Sequence, residues 1–291
     1  MSFEILTDSA SNLTDDLLEK YGIHMLSCFY LIDDVEYPCY VPGRDYAEAG
    51  REFYHKLRNK VDIKTSLINT ARLIEFFEPF LQAGRDILFS PISSGLSGTF
   101  QAAQEAARQL AERYLERKCI IVDSLGASLG EGLLLCHAAK LRNGGANIEE
   151  VQHWIEQNRL KMRQIFTVDD LHFLRRGGRL SGAAALVGSL LNIKPLLKAS
   201  DKGLIAMDGK TRGRRKALDA LAKNFCETAV DPAAQTIGIA HCDCEADAQY
   251  LAEKIQSTTP VGNILIRYYD LCTGAHVGPG ALALFYMGEH R

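Results

Sequence analysis

The sequence has no apolar run approaching the roughly 20 residues that a membrane-spanning helix requires, because its longest uncharged stretches are broken by Ser, Gly, Pro or His. No crossing of a bilayer is expected. It also lacks a dominant charge: 33 Lys and Arg stand against 36 Asp and Glu, a net charge of −3, with 47% apolar residues. That balance argues against both a polybasic nucleic-acid binder and a disordered acidic chain. No charged-then-apolar leader precedes the first strand-like run at residues 3–6, and the eight cysteines are spread through strand and helix patterns. A reducing cytoplasm is the expected location. Nucleotide and hydrolase signatures are missing from the Ser/Gly loop at residues 93–99 as well. No Gly-Lys-Ser/Thr follows it and its Gly-Leu-Ser-Gly fails the GxSxG spacing, while Gly126, Gly130 and Gly132 further on are spaced GxxxGxG rather than GxGxxG.

What is present reads as two α/β domains, since 291 residues exceed one domain of about 100 to 200 and bury sizeable cores without staples. Up to residue 162 short apolar runs alternate with helical periodicity, the pattern of βα units around a mostly parallel sheet. Strands are expected at residues 3–6, 86–89 and 119–122. Thr14 reads as a helix N-cap and Gly22 as its stop. Further helices are expected at residues 46–58, 71–82 and from the Ser/Gly loop to about residue 117. From residue 163 to 291 the pattern changes to a strand at 164–168, an Arg/Gly turn, an apolar helix at 183–191 and a hairpin turning at Asp201-Lys202-Gly203. A helix at 214–228, strands at 236–240 and 264–269 with a helix between them, and a closing strand at 281–287 complete it. A cleft between two such units is the default ligand site.

The strongest local signal is Ser93-Ser94-Gly95-Leu96-Ser97-Gly98-Thr99, set between a strand and a helix. Glycines let backbone approach a ligand, while hydroxyls and the free N–H groups of a helix start favour an anion such as phosphate or carboxylate. A bare helix cap accounts for one Ser and one Gly, not for four hydroxyls in seven residues. Thr7-Asp8-Ser9 and Asp123-Ser124 sit at matching strand ends, where α/β sheets line their ligand crevices, and Thr65-Ser66 joins them from a loop. Each alone reads as a turn or cap. The basic knots Arg175-Arg176-Gly177-Gly178-Arg179 and Lys210-Thr211-Arg212-Gly213-Arg214-Arg215-Lys216 suit phosphate or an acidic protein surface, or else are solvated helix ends. Cys242-Asp243-Cys244 lacks the second pair of ligands that structural zinc needs, so no metal is expected. His276, in the glycine-rich run from Gly274 to Gly280, is a candidate hydrogen-bond donor or base in a flexible loop.

In that order these motifs, with Phe173-Leu174 before the first knot, Leu180-Ser181 after it, Gly188-Ser189-Leu190-Leu191-Asn192-Ile193-Lys194-Pro195, and His276 to Gly280, resemble the DegV family of bacterial fatty-acid-binding proteins, which includes the carrier subunit of fatty acid kinase. The resemblance runs over nearly the whole chain. It implies a first domain with a parallel sheet, a second with a largely antiparallel one, and a long-chain fatty acid held non-covalently in the cleft between them. It places the carboxylate on Thr65 and Ser97 with His276 nearby, and the hydroxyl-rich loop adds Ser93, Ser94 and Gly98 to the expected site. It further implies a separate ATP-dependent kinase subunit that phosphorylates the carboxylate, so that this chain would be a carrier with no cofactor and no catalysis of its own. Arg179, Arg212 and Arg214 are expected to form an exposed docking patch for that partner. Neither nucleic acid nor integral membrane association is expected. The apolar helix near residues 183–193 is expected to wall the acyl tunnel, where burial stabilises by about 0.8 kcal/mol per CH₂.

The sequence departs from the family where Leu67-Ile68-Asn69 follow Thr65-Ser66 in place of Gln-Pro and another Ser, and where Gly213 stands between arginines in place of Thr. Two other classes stay open. One is a serine hydrolase acting on acyl esters through Ser97, His276 and Asp8 or Asp123, since Gly-Leu-Ser-Gly sits at a strand-to-helix turn. The other is a lipid sensor that regulates without a kinase.

Overall fold

The computed structural model describes residues 3–180 and 192–291. The first half contains the parallel βα pattern read from the sequence. Strand β1 (Phe3–Asp8) leads into α1 (Asp15–Tyr21), with Thr14 at the N-cap position, its hydroxyl turned to Asp16 rather than to the helix amides, and Gly22 at φ +61° as the stop. Then β2 (Ile23–Leu26) lies parallel to β1. β6 (Asp86–Phe89) and β7 (Cys119–Ile121) complete a parallel sheet of order β2-β1-β6-β7. The apolar run after Gly22 does not stay in this sheet. It breaks into β2 and β3 (Phe29–Ile32), and β3 pairs antiparallel with β4 (Val35–Pro38) and β5 (Lys64–Ser66) in a separate three-stranded sheet. Thr65 and Ser66 therefore sit on a strand, not in the loop the sequence suggested.

Helices α2 (Tyr46–Arg58), α3 (Thr70–Gln82) and α4 (Thr99–Ala111) present their apolar faces to the core. The last ends before Arg117, because the chain turns where the Tyr114 hydroxyl and the Arg113 guanidinium both donate to Glu78 of α3. α5 (Leu129–Asn143) and α6 (Ile148–Asn158) follow. α5 is buried along most of its length, packed between the sheets against both β1-side turns and the second large sheet. Its glycines are packing positions: a Cβ on Gly132 would fall 2.3 Å from the Ser11 carbonyl oxygen. That explains glycines that spell no dinucleotide motif.

The second large sheet has the order β10-β9-β8-β13-β11-β12. It comprises β8 (Met162–Thr167), β9 (Ile193–Ala199), β10 (Ile205–Arg212), β11 (Thr236–His241), β12 (Asn263–Tyr268) and β13 (Leu282–Met287). Every pairing is antiparallel except β11 with β12. The Arg/Gly turn after β8 begins with the short α7 (His172–Arg176), and α8 (Arg214–Thr228) and α9 (Glu245–Gln256) cover the outer face. α10 (Leu271–Val277) joins β12 to β13. It replaces the glycine loop expected around His276. Gly274 is there because the Tyr54 hydroxyl would lie 2.0 Å from a Cβ, and close approach, not flexibility, selects the glycine. The expected apolar helix at residues 183–191 lies outside the described residues. One continuous core runs from Ile5, Leu88 and Phe89 of the first sheet to Leu197, Ala240 and Phe285 of the second.

Candidate functional site

The carboxyl ends of β1, β6 and β7 do lie on one side of the parallel sheet, but most of their hydroxyls are engaged in bracing the protein. The Thr7 hydroxyl is within 3.0 Å of the Ser90 carbonyl oxygen and 2.8 Å of the Glu131 carboxyl. Asp8 accepts from the Ala10 and Ile92 amides, and burial pushes its pKa up to about 6. Asp123 accepts from the Ser94 and Leu125 amides. The Ser124 hydroxyl donates to the Pro91 carbonyl at 2.7 Å.

The Ser/Gly loop divides between two jobs. Ser93 is fully buried and donates to the Gly203 carbonyl at 2.9 Å, tying the loop to the turn between β9 and β10. A Cβ on Gly95 would fall 2.8 Å from the Lys202 carbonyl oxygen. The close approach that this glycine permits is to a protein hairpin, and neither Ser93 nor Ser94 lines the cavity described next. The Ser93 hydroxyl is spent on the hairpin, and Ser94 lies outside the lining of that cavity.

Ser97 and Gly98 do line a cavity. With Thr65 on β5 and Leu67 just after it, His276 and Thr273 on α10, Arg179 after α7 and Ile205 on β10, they enclose about 220 Å³ between the parallel sheet, the small sheet and the antiparallel sheet. The polar groups converge. Thr65 Oγ1 is 2.7 Å from His276 Nε2, although 211 positions separate the two in the chain. Ser97 Oγ lies 3.0 Å from Thr99 Oγ1 and accepts from the Thr99 amide just before α4, whose N-cap position is Gly98. That helix start puts Gly98 and the positive end of the backbone dipole at the cavity wall. Arg179, half-buried, donates through Nε to the Leu96 carbonyl at 3.0 Å and through Nη1 to that of Gly177. It pins two rim segments together.

The His276 imidazole is neutral at pH 7. Burial, with the Arg179 and Arg176 charges adding to it, pushes its pKa down to about 4. Its Nδ1 fits against Gly177, where a Cβ would come within 2.2 Å. A second, smaller cavity of about 40 Å³ shares Leu96, Ile205, Thr273 and Val277 as walls and continues into apolar side chains, among them Leu125, Phe166 and Phe285. The site thus has hydroxyls, an imidazole and a helix start at one end and hydrocarbon at the other. It suits an amphiphile with an anionic head.

The hydrolase constellation does not assemble among the described residues. Ser97 bonds Thr99, His276 Nε2 bonds Thr65, and Asp8 and Asp123 are occupied by backbone amides elsewhere. The expected arginine patch also divides. Arg212 is exposed at the end of β10. Arg214 is held by Asp247 at 2.8 Å and Asp169 at 3.7 Å, and Arg179 belongs to the cavity rim. Among the described residues there is no group of three or more His, Cys, Asp or Glu able to hold a metal, and no helix long and apolar enough to cross a membrane.

Sequence reasoning missed Leu174, Ile205, Cys272 and Thr273 as lining residues. Cys272, Thr273 and His276 share one face by helical spacing, a signal obscured because the glycines made the segment read as a loop. The family departure after Ser66 is also local in effect: Leu67 lines the cavity, Ile68 is buried, and Asn69 caps α3 by accepting from the Arg72 amide.

Fold and site together define a two-sheet α/β protein that encloses a polar-mouthed apolar cavity. The chain belongs to the DegV family, whose profile, described as uncharacterised protein, DegV family, matches residues 2–289. A DegV domain-containing protein of Clostridium perfringens is 40% identical over 289 residues, spanning 99% of this chain and 98% of its own. Among solved structures, a fatty-acid-binding DegV family protein of Thermus thermophilus is similar with a TM-score of 0.88 at 27% identity, covering 99% of this chain and 100% of its own. DegV of Bacillus subtilis, a fatty acid binding protein, matches with a TM-score of 0.84, also at 27% identity and with the same coverage.

Proposed function

We propose that this chain is a cytoplasmic carrier that binds a long-chain fatty acid without covalent attachment and presents its carboxylate to a separate ATP-dependent kinase subunit, which converts it to an acyl phosphate. The observation that carries the reading is the Thr65–His276 hydrogen bond at the polar end of a cavity beside a second one walled mainly by apolar side chains. With the imidazole neutral and its proton on Nε2, His276 donates to Thr65 Oγ1, and the Thr65 O–H is left to donate to the carboxylate. Ser97 and the start of α4 supply further donors. These groups and the nearby Arg179 charge favour the ionised head that must attack a phosphoryl group. Neutral hydroxyls hold it without burying a dedicated counter-ion. The apolar inner walls retain the acyl chain by excluding it from water. Relatives that bind fatty acids in the same fold support the reading.

Organic extraction of the purified protein followed by mass spectrometry is expected to release a fatty acid. Protein that yields none, and takes none up after delipidation, would end the proposal. Ser97→Ala is expected to lower lipid affinity by about 1.5 to 3 kcal/mol in an exchange assay, through loss of a hydrogen bond to a charged group. For the partner, the exposed Arg212 is the proposed contact. Arg212→Glu is expected to slow acyl-phosphate formation with the kinase subunit, most at low salt, and to leave lipid content unaltered. Loss of lipid instead would place Arg212 in the pocket's support.

A further inference from the structure

The polar end of the cavity is built from Thr65, Ser97, His276 and the start of α4, yet Leu67 lines it too and is 50% exposed. Of the seven large apolar side chains exposed among the described residues, Leu67 is the one that lines this cavity. A leucine alone on a surface needs no explanation, whereas one at the mouth of a polar site bears on what reaches that site. The backbone beneath it is fixed. On one side Thr65 pairs with Tyr30 of β3, and the Ser66 hydroxyl donates to Glu36 at 3.2 Å. On the other, the amide of the buried Ile68 donates to Thr99 Oγ1 at 3.3 Å, and Asn69 caps α3. Thr99 Oγ1 is also the partner of Ser97 Oγ, so the segment that carries Leu67 is tied to a hydroxyl of the head-group site. The side chain rests on Gly98, where a Cβ would come within 3.2 Å of Leu67 Cδ2. Glycine there lets the isobutyl group lie against the helix start. With the backbone held and the side chain half open, rotation between staggered rotamers is the freedom that remains.

We propose that Leu67 is the shutter of the head-group site: it covers the head of the bound ligand and keeps water from it, so that an acyl phosphate formed there survives until it is handed on. This rests on the carrier reading and gives one residue a protective role within it. An acyl phosphate is an anhydride, and one water cleaves it to the carboxylic acid and inorganic phosphate, so the activation is lost. Hydroxyls that hold the head also hold water beside it, and an apolar cover displaces that water without supplying a nucleophile.

The test loads delipidated full-length protein, in excess, with hexadecanoyl phosphate and follows the release of inorganic phosphate. Wild-type protein is expected to slow hydrolysis relative to the free compound in buffer, Leu67→Ser to hasten it about threefold over wild type, and Leu67→Met to restore the wild-type rate. Doubling the protein concentration separates cover from leakage. A rate that stays the same belongs to bound ligand, as the inference requires, whereas one that falls shows that the variant merely lets the ligand go and overturns it. Equal rates in wild type and Leu67→Ser, or hydrolysis on wild-type protein as fast as in buffer, also overturn it. Uptake of hexadecanoic acid, measured in parallel, then leaves the carrier reading standing, and protein that takes up neither compound sinks both. Leu67→Ala repeats the measurement should the serine variant fail to fold.

Discussion

His276 shows how one side chain acquires a role from its neighbours. In the unfolded chain an imidazole titrates near 6.5, whereas in the fold burial and two arginines hold it down to about 4. Between those values the unfolded state binds the extra proton. The stability His276 contributes is therefore complete above pH 6.5 and lost as pH falls towards 4, by an amount on the order of 2–3 kcal/mol. Urea unfolding at pH 7 and pH 4.5 is expected to show a smaller acid-side loss in His276→Gln than in the wild type. Equal losses would mean that the imidazole is protonated in the fold. The residue's chemistry was legible in the sequence, but its bond to Thr65 was not, because nothing local links positions 65 and 276. Ser93 is the converse case. Its motif favoured a ligand, and the tertiary structure spends its hydroxyl on the Gly203 carbonyl.

Among the elements, the turn between β9 and β10 decides how the cavity closes. Gly203 adopts φ +67°, and a Cβ there would lie 2.0 Å from Ser93 Oγ. Gly203→Ala is expected to cost about 2–3 kcal/mol, through backbone strain and displacement of the Ser93 bond, and to hasten lipid release from the loosened wall. A urea midpoint and lipid dissociation rate equal to the wild type would show that the turn is not a clamp. The hairpin itself was read correctly from Asp201-Lys202-Gly203, as was the helix Arg214–Thr228 from its periodicity. One element read wrongly, α10, is short and holds glycine inside it. Gly274 lowers helix propensity but accommodates Tyr54, whose hydroxyl donates to the Tyr269 carbonyl at 2.9 Å. Packing outweighed propensity.

At the scale of the whole molecule, the core crosses from one large sheet to the other, and the domain boundary we propose after residue 162 falls at the start of β8, where sheets change but the core does not. Lipid binding would then stabilise the two sheets as one unit. Removing the lipid is expected to lower the melting temperature by several degrees, since a ligand at about 100 times its Kd contributes about 2.7 kcal/mol. Calorimetry is expected to show a single transition before and after. Two resolved peaks would mean that the sheets unfold independently.

The sequence by itself determined the parallel sheet, the hairpin and the helices with strong 3.6 periodicity, because these depend on apolar spacing and on turn residues a few positions apart. Through the resemblance carried by its ordered motifs it also pointed to Thr65, Ser97 and His276, which the fold brings to one cavity. Only the tertiary structure decided which hydroxyls face the cavity and which brace its walls, and that Arg179 stands at the rim while Arg214 is held by Asp247 and Asp169. Those outcomes depend on contacts between positions far apart in the chain, where backbone sterics and the need to satisfy buried polar groups select one partner among several that the sequence leaves equal.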